Sequence, residues 1–324
     1  MNPRTILLGA QATSAALPVC DHYSGVPTRM RKSLALQAEL AEECGACVFD
    51  VTLDCEDGAP VGGEAEHAAL VSEMLQGVQP GCRVGVRVHA VDHPAFGADL
   101  EAVLAGAKHP AFIMVPKVDT HADVARAVQV MAAHGGEGVP LHVLIESPLG
   151  VHHAFDIASH PRVQSLSFGL MDFVSAHGGA IAADAMGVSG QFAHPLVLRA
   201  KLAMASAAHA FGKVPSHCVV TEFKDTAALT AAALRARNEL GYTRMWSIHP
   251  DQIRPIVAAF SPSEGEVAQA VRIIQAAHAA DWGPSALDGT LHDRASYRYY
   301  WQILERARQT GQDLPAEIVT FFSS

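Results

Sequence analysis

Short runs of β-branched and other apolar residues alternate along the chain with longer Ala- and Leu-rich stretches of helical period. The short runs predict eight strands, at residues 14–19, 46–53, 84–88, 111–115, 141–145, 166–168, 217–220 and 245–248. The longer stretches predict helices, including residues 28–43, 65–75, 121–133, 196–211 and 226–239. Eight β-α alternations without a large insertion favour a closed (β/α)₈ TIM barrel over an open doubly wound sheet.

The pattern changes after Phe260, where Ser261-Pro262-Ser263 interrupts the chain. A helical pattern follows at residues 264–280, then a turn-rich stretch at 281–289 and a last helical pattern at 293–310. We therefore expect a barrel-shaped catalytic domain at residues 1–260 and an all-helical C-terminal extension at 261–324. The aromatic residues of the extension predict packing against the barrel or a neighbouring subunit.

Composition narrows the class of protein. The chain has 324 residues, of which 49% are hydrophobic and 17% charged, as expected of a soluble globular protein. A net charge of −10 argues against nucleic acid as the main partner. The N-terminus predicts no cleavable signal peptide, and no apolar run is long enough to predict a membrane span. Six scattered cysteines suit a reducing compartment, so we expect a cytoplasmic protein.

Two acidic residues, Glu146 and Asp172, each follow a short strand-like run. Side chains at the carboxyl ends of neighbouring parallel strands converge on one mouth of a barrel. Two carboxylates with room for water and substrate are the ligands that Mg²⁺ prefers. The sequence therefore predicts a Mg²⁺ site at Glu146 and Asp172.

Other predicted strands also end in polar or ionisable residues. These are Glu56 and Asp57 after the second strand, Arg87 in the third, Lys117 after the fourth and His249 after the eighth. Such side chains are costly to bury unless they pair, bind a metal or contact a substrate. Their shared position predicts chemistry on one rim of the barrel.

Six segments in order carry a resemblance to a known family. They are Asp54-Cys55-Glu56-Asp57, Arg87-Val88-His89, Met114-Val115-Pro116-Lys117, Ile145-Glu146-Ser147-Pro148-Leu149-Gly150, Phe168-Gly169-Leu170-Met171-Asp172 and Ile248-His249-Pro250-Asp251-Gln252-Ile253. Together they resemble the motifs of the HpcH/HpaI aldolase and citrate lyase beta-subunit family, from about Pro18 to the C-terminal helices. Each motif alone is weak, whereas six in order are specific.

The resemblance implies a Mg²⁺-dependent carbon–carbon lyase on a TIM barrel. Glu146 and Asp172 match the metal ligands of similar enzymes, and Arg87 matches their arginine. The stretch at residues 287–293 resembles a segment that lends a catalytic aspartate to a neighbouring subunit, so Asp293 is the candidate for that role. The resemblance also suggests a homo-oligomer, a trimer or hexamer, in which a shared site requires at least a dimer.

The expected chemistry assigns roles to these residues. Cleavage leaves negative charge on an enolate oxygen, which the metal and Arg87 would stabilise, and Arg87 also suits a substrate carboxylate. Asp293, or Glu56 with Asp57, would supply proton transfer, and Lys117 and His249 would contact substrate. Each has a structural alternative. Glu56 and Asp57 would orient water or Arg87, Lys117 would form an ion pair, and His249 and Asp293 would cap chain segments.

Three departures from the family pattern point to a divergent branch with an altered substrate. Ala12-Thr13 replaces the usual Arg-Ser pair, His89 stands where asparagine is common, and Arg244-Met245 occupies a usual Gly-Lys position. The loop at residues 21–25 supplies a different chemistry after the first strand. The expected substrate is a small 3-hydroxyacyl-CoA of malyl, citramalyl or citryl type, or a related hydroxy acid. A thioesterase, a pyruvate-type aldolase and a non-catalytic ligand-binding subunit remain alternatives.

Overall fold

Eight parallel strands close into a barrel in the computed structural model of the chain, which describes residues 3–9, 16–59 and 61–323. The strands are β1 (Cys20–Ser24), β2 (Phe49–Asp54), β3 (Val84–Arg87), β4 (Ile113–Val115), β5 (Leu141–Ile145), β6 (Val163–Phe168), β7 (Val214–His217) and β8 (Arg244–Ser247). Each strand pairs with the next, and β8 pairs with β1. This closed order confirms the predicted (β/α)₈ TIM barrel.

Helices lie between the strands. They are α2 (Pro27–Cys44), α3 (Glu64–Gln76), α4 (Phe96–Leu104), α5 (His121–Ala133), α6 (Pro148–His152), α7 (Ala154–Ser159), α8 (Leu170–Ser175), α9 (Pro195–Ala210), α10 (Thr226–Leu240) and α11 (Ile253–Phe260). Local chemistry fixes where several begin. Thr120 caps α5 through the amide of Asp123, and Pro195 occupies the first turn of α9, where its missing N–H costs nothing. None of the described helices is long and apolar enough to cross a membrane.

The first strand lies further along the chain than the predicted one at residues 14–19. Residues 14 and 15 lie outside the described part of the chain, and 16–19 form no strand. β1 instead covers the polar run Cys-Asp-His-Tyr-Ser. The barrel satisfies this polarity, because Asp21 meets Arg244 inside and His22 lies within 3.0 Å of Ser33 of α2 outside. β7 likewise begins at Val214, three residues before the predicted 217–220.

Apolar residues alternate between the two faces of the barrel wall. Outward residues such as Val51, Ile113 and Leu166 pack under the helices in the main hydrophobic cluster. A small apolar cluster fills the middle of the barrel and contains Phe112, Met114, Leu144 and Trp246, all buried. Burial of these outward residues supplies most of the free energy that holds helices to sheet.

An ion cluster closes the amino-terminal end of the barrel. The Arg244 guanidinium lies 2.8 Å from Asp21 and 2.7 Å from Asp50, and Arg83 also contacts Asp50 at 3.0 Å. Thr52 donates a hydrogen bond of 2.7 Å to Asp21. Arg244 is buried, so removing either carboxylate would leave an uncompensated charge. Arg244, where the sequence departs from the family pattern, therefore links β8 to β1 through its ion pair with Asp21.

The C-terminal segment contains helices α12 (Glu264–Ala279), α13 (Arg294–Gln309) and α14 (Ala316–Ser323). An antiparallel hairpin of β9 (Ser285–Leu287) and β10 (Thr290–His292) interrupts them, so the prediction of an all-helical extension was wrong. The turn between the strands accommodates positive φ angles at Asp288 and Gly289. Helix α1 (Pro3–Leu8) packs against α13 in a second hydrophobic cluster. The domain boundary at residue 260 stays a prediction.

The packing inside the barrel can be tested by a substitution at Gly85. A Cβ atom at this position would lie 2.2 Å from the Phe112 ring, which stacks on His142 at 3.8 Å between centroids. We expect Gly85→Ala to lower the free energy of unfolding by about 1–3 kcal/mol through overpacking. Gly97→Ala is the control, because nothing lies within 4 Å of a Cβ there. Urea unfolding measures both; equal stability of Gly85→Ala and wild type would contradict this packing.

Candidate active site

Most of the predicted site residues meet at the carboxyl end of the barrel. Arg87, Glu56, Asp57 and Lys117 form one connected group of charges, and Lys117 joins this group to Glu146. His249 lies at the end of β8, on the wall of an adjoining cavity. Asp293 is the exception, since it contacts none of these residues in the described part of the same chain. Residues that the sequence places at the ends of different strands therefore do lie in contact with one another in the structure.

Arg87 is held by Asp54, which the sequence motifs did not mark as a site residue. The two residues are partners in the register of β2 and β3. Arg87 Nε donates to Asp54 Oδ1 at 2.7 Å and Nη2 donates to Oδ2 at 2.5 Å, a two-pronged contact that fixes the guanidinium plane. Burial lowers the pKa of Arg87, but the carboxylates of Asp54 and Glu56 raise it above its ordinary value. The guanidinium therefore stays charged.

Two glycines allow this arrangement of loops. The Gly58 amide donates to Asp54 Oδ2 at 2.8 Å, and a Cβ on Gly58 would lie 2.2 Å from the same oxygen. A Cβ on Gly25 would lie 2.2 Å from the Gly58 carbonyl oxygen. Only glycine lets the loops after β1 and β2 approach this closely. Asp54 owes its position to its register with Arg87 and to its contact with the Gly58 loop. Neither is visible in the sequence, which explains why its role was missed.

Glu56 is shared between two cations. Its Oε2 lies 3.2 Å from Arg87 Nη1, and its Oε1 accepts a short hydrogen bond from Lys117 Nζ. Asp57 is more exposed and its Oδ2 lies 3.6 Å from Lys117 Nζ. Burial lowers the pKa of Lys117, whereas Glu56 and Asp57 raise it above its ordinary value. Glu56 is thus positioned to hold both cations.

Lys117 also contributes its backbone. Its φ of 54° lies in the left-handed region, which is uncommon for a residue with a side chain. In this conformation the Lys117 amide donates to Glu146 Oε1 at 2.8 Å while the side chain reaches Glu56. One residue therefore orients two carboxylates of the site. Such backbone strain is common where a site needs an exact orientation.

Glu146 and Asp172 form a pair of carboxylates without a cation. Glu146 follows β5 and is buried, whereas Asp172 lies in the first turn of α8 and is partly exposed. Burial and the charge of Asp172 raise the pKa of Glu146 to about 8. Neither side chain forms an ion pair within the described ranges. Gly169 makes room for Glu146, because a Cβ there would lie 2.4 Å from Oε2.

These properties fit a hard divalent cation. Two like charges in a buried site favour protonation of one unless a positive ion is bound between them. Residues 3–9, 16–59 and 61–323 contain no group of three or more His, Cys, Asp or Glu side chains arranged to hold a metal. A cation at Glu146 and Asp172 would complete its shell with water and substrate oxygens, as Mg²⁺ commonly does.

A cavity of about 620 Å³ opens beside this group of charges. Tyr23 and Ser24 at the end of β1, together with Gly25, form one wall, and Phe223 and His249 form another. His249 stacks on Phe223 at 4.9 Å, and its Nδ1 accepts a hydrogen bond from the Asp251 amide. His249 therefore caps the short turn at Pro250–Gln252, as its structural alternative predicted, and also faces the cavity.

Asp293 caps helix α13 in its own chain. Its Oδ1 accepts hydrogen bonds from the amides of Ala295 and Ser296 at 3.0 and 3.2 Å. This is the N-cap geometry that the structural alternative predicted. The carboxylate is exposed on the surface, so its role toward a neighbouring subunit stays a prediction.

The chain is similar to several known proteins. A family model described as HpcH/HpaI aldolase/citrate lyase matches residues 33–250. A solved citrate lyase from Burkholderia xenovorans LB400 is 49% identical, with a TM-score of 0.83, covering 99% of this chain and 100% of that one. The L-malyl-CoA/beta-methylmalyl-CoA lyase of Rhodobacter capsulatus is 30% identical over 280 residues, covering 79% of this chain and 86% of that protein.

A more distant structure shares the fold. The CitE protein of Mycobacterium tuberculosis, solved in complex with magnesium, acetoacetate and coenzyme A, has a TM-score of 0.68 and 23% identity. The match covers 90% of this chain and 99% of that chain.

The raised pKa of Glu146 predicts that the stability of the metal-free protein depends on pH. The folded state holds a proton on Glu146 up to about pH 8, whereas the unfolded chain releases it near pH 4.5. Stability is therefore lost as pH rises through this window, by on the order of a few kcal/mol.

Glu146→Gln is the control for this effect, because its side chain does not titrate. Unfolding free energies from pH 5 to 8 in a chelator should fall for wild type relative to Glu146→Gln. Added Mg²⁺ should reverse the difference, by binding the ionised pair. Parallel pH profiles of the two proteins would contradict the assigned environment of Glu146.

Proposed function

Because the chain belongs to the HpcH/HpaI aldolase/citrate lyase family, as its six ordered motifs predicted, we propose that it is a Mg²⁺-dependent lyase. Its proposed reaction cleaves a carbon–carbon bond of a short 3-hydroxyacyl-CoA, of the type that the Rhodobacter capsulatus relative is named for. The observation that carries the proposal is the carboxylate pair of buried Glu146 and partly exposed Asp172, with Glu146 within electrostatic range of Arg87. This pair suits a divalent cation, and Arg87 suits the negative charge that cleavage creates.

Glu146 and Asp172 would hold the cation. When bound, it supplies positive charge that polarises a substrate carbonyl or carboxylate oxygen. The Mycobacterium tuberculosis protein with magnesium and coenzyme A supports this choice of metal. The Lys117 amide keeps Glu146 Oε1 oriented, and Gly169 leaves the second oxygen accessible.

Arg87 has donors to spare for a substrate. A guanidinium carries five N–H groups. Nε and Nη2 of Arg87 each direct one N–H group to Asp54, and Nη1 lies 3.2 Å from Glu56, so three of the five groups are used. Two N–H groups remain for a substrate oxygen. Since Asp54 fixes the guanidinium plane before substrate arrives, little reorganisation is needed when charge develops in the transition state.

The reaction moves two protons. A base takes the proton of the 3-hydroxyl group as the bond between carbons 2 and 3 breaks, and carbon 3 becomes a carbonyl carbon. The electron pair of the broken bond forms an enolate of the thioester, which Arg87 stabilises, and an acid then protonates carbon 2. We assign the proton transfers to Asp293 of a neighbouring subunit, with Glu56 and Asp57 orienting Arg87 and Lys117.

The adjoining cavity is suited to the coenzyme A part of the substrate. Arg29 and Lys32 lie exposed on the first turns of α2 and line it together with the stacked Phe223 and His249. Two cations favour phosphate groups, and an exposed aromatic pair favours a flat base. We assign to these two cations the role of the arginine in the usual Arg-Ser pair, which Ala12-Thr13 replaces; Ala12 and Thr13 lie outside the described residues.

The metal ligands can be tested by isosteric changes. We expect Glu146→Gln and Asp172→Asn each to lower Mg²⁺-dependent cleavage of malyl-CoA about 100-fold or more, because each removes a charged ligand. Exposed Glu239→Gln and Asp156→Asn are matched controls. Assaying both the oxo acid and free coenzyme A thiol separates a lyase from a thioesterase. Wild-type turnover in both ligand variants would refute the metal site.

Shared sites can be tested by mixing subunits. Arg87→Ala and Asp293→Asn should each be inactive, but a mixed oligomer should recover part of the activity, because some sites then combine intact Arg87 with intact Asp293. Asn keeps the helix cap, so loss of activity reports the carboxylate itself. Asp313→Asn, exposed beyond α13, is the control. No recovery in mixed oligomers verified by mass would contradict donation between subunits.

A further inference from the structure

Tyr23 lies beside Arg87 at the mouth of the barrel, although it belongs to none of the six family motifs. Its ring lies 5.2 Å from the Arg87 guanidinium carbon and 5.2 Å from the Trp246 ring, measured to ring centroids. Trp246 also approaches Arg87, at 5.9 Å. Two aromatic rings thus flank the same guanidinium that Asp54 holds in plane. This geometry gives Arg87 an aromatic wall formed by Tyr23 and Trp246.

The alternation of β1 brings Tyr23 to this position. Asp21 and Tyr23 point into the barrel, whereas His22 between them points outward to Ser33. Gly58 lies next to the ring, since a Cβ there would be in van der Waals contact with Tyr23 at 3.4 Å. Residues 21–24, which the sequence predicted as a loop, thus belong to β1, and the strand places one specific side chain at the site.

The Tyr23 hydroxyl is available to a ligand. It forms no hydrogen bond with any residue that the structure describes, and the side chain is only partly buried. The residue lines the cavity of about 620 Å³ together with Ser24 and His249. Burial raises the pKa of Tyr23, as do Asp54, Asp57 and Glu56, against the opposing effect of Arg87. The phenol therefore keeps its proton at neutral pH and can act as a donor.

The barrel below Tyr23 is closed to larger groups. Trp246, Met114 and Leu144 form a buried apolar floor. An acyl group bound beside Arg87 cannot extend deeper than this floor, because the interior is packed. Oxygen atoms of a short, polar acyl group would instead lie level with Arg87 and Tyr23.

We propose that Tyr23 is a substrate-binding residue, whose hydroxyl donates a hydrogen bond to a carboxylate or carbonyl oxygen of the acyl group that Arg87 also contacts. This inference rests on the proposed function, since it names a further contact in the same site. A purely structural tyrosine would contribute its ring to packing and leave the hydroxyl without effect. Removing only the hydroxyl distinguishes the two roles.

Tyr23→Phe is the decisive variant, because it keeps the ring and removes the donor. Tyr299→Phe, on the exposed face of α13, is the matched control. Three quantities are measured on the full-length protein with Mg²⁺: kcat/KM for malyl-CoA cleavage, the Kd of oxaloacetate by calorimetry, and the unfolding temperature. Oxaloacetate is the probe because it is the oxo acid that a citryl thioester would release and carries both a carboxylate and a carbonyl oxygen. We expect Tyr23→Phe to lower kcat/KM about 10- to 100-fold and to weaken oxaloacetate binding by a similar factor.

The unfolding temperature should stay at the wild-type value in both variants, and Tyr299→Phe should match wild type throughout. Wild-type kinetics and wild-type oxaloacetate affinity in Tyr23→Phe would overturn the inference and leave the lyase proposal intact. A lowered unfolding temperature with unchanged affinity would also overturn it, in favour of a packing role. If wild-type protein neither cleaves malyl-CoA nor binds oxaloacetate, the proposed function fails, and the role of Tyr23 fails with it.

Discussion

The positive charge of Arg87 inside the barrel mouth is the constraint around which the site is built. A buried guanidinium is unfavourable unless carboxylates compensate it and hold it in place. Asp54 meets this need from the neighbouring strand, and Glu56 adds a second contact. The loops then conform to Asp54, which is why Gly58 and Gly25 must lack side chains. Tyr23, Lys117 and the cavity take their positions from this arrangement.

Charge is distributed differently at the two ends of the barrel. The amino-terminal end holds Arg244 with Asp21 and Asp50, a closed cluster that suits stability. The carboxyl end holds Glu146 and Asp172, which carry like charges and have no cation partner among the described residues. Proteins tolerate such imbalance mainly where a ligand or metal corrects it. The contrast supports the placement of chemistry at the carboxyl end.

Sequence reasoning located much of the site because strand ends are visible in one dimension. Arg87, Glu56, Lys117 and Glu146 follow apolar runs, and the fold brought them together as expected. Asp54 was missed because its importance depends on its register with Arg87. Tyr23 was missed because β1 has a polar sequence, and apolar periodicity placed that strand too early.

The sequence by itself determined the barrel, through eight alternations of strand and helix, and the residue types available at each strand end. Only the tertiary structure decided which of them pair, that Lys117 turns its amide to Glu146, and that Asp293 lies outside the mouth of its own chain. The physical reason is the distance along the chain over which each interaction acts. Secondary structure follows local periodicity, whereas ion pairs, burial and pKa values depend on residues far apart in the chain that only the closed barrel brings into contact.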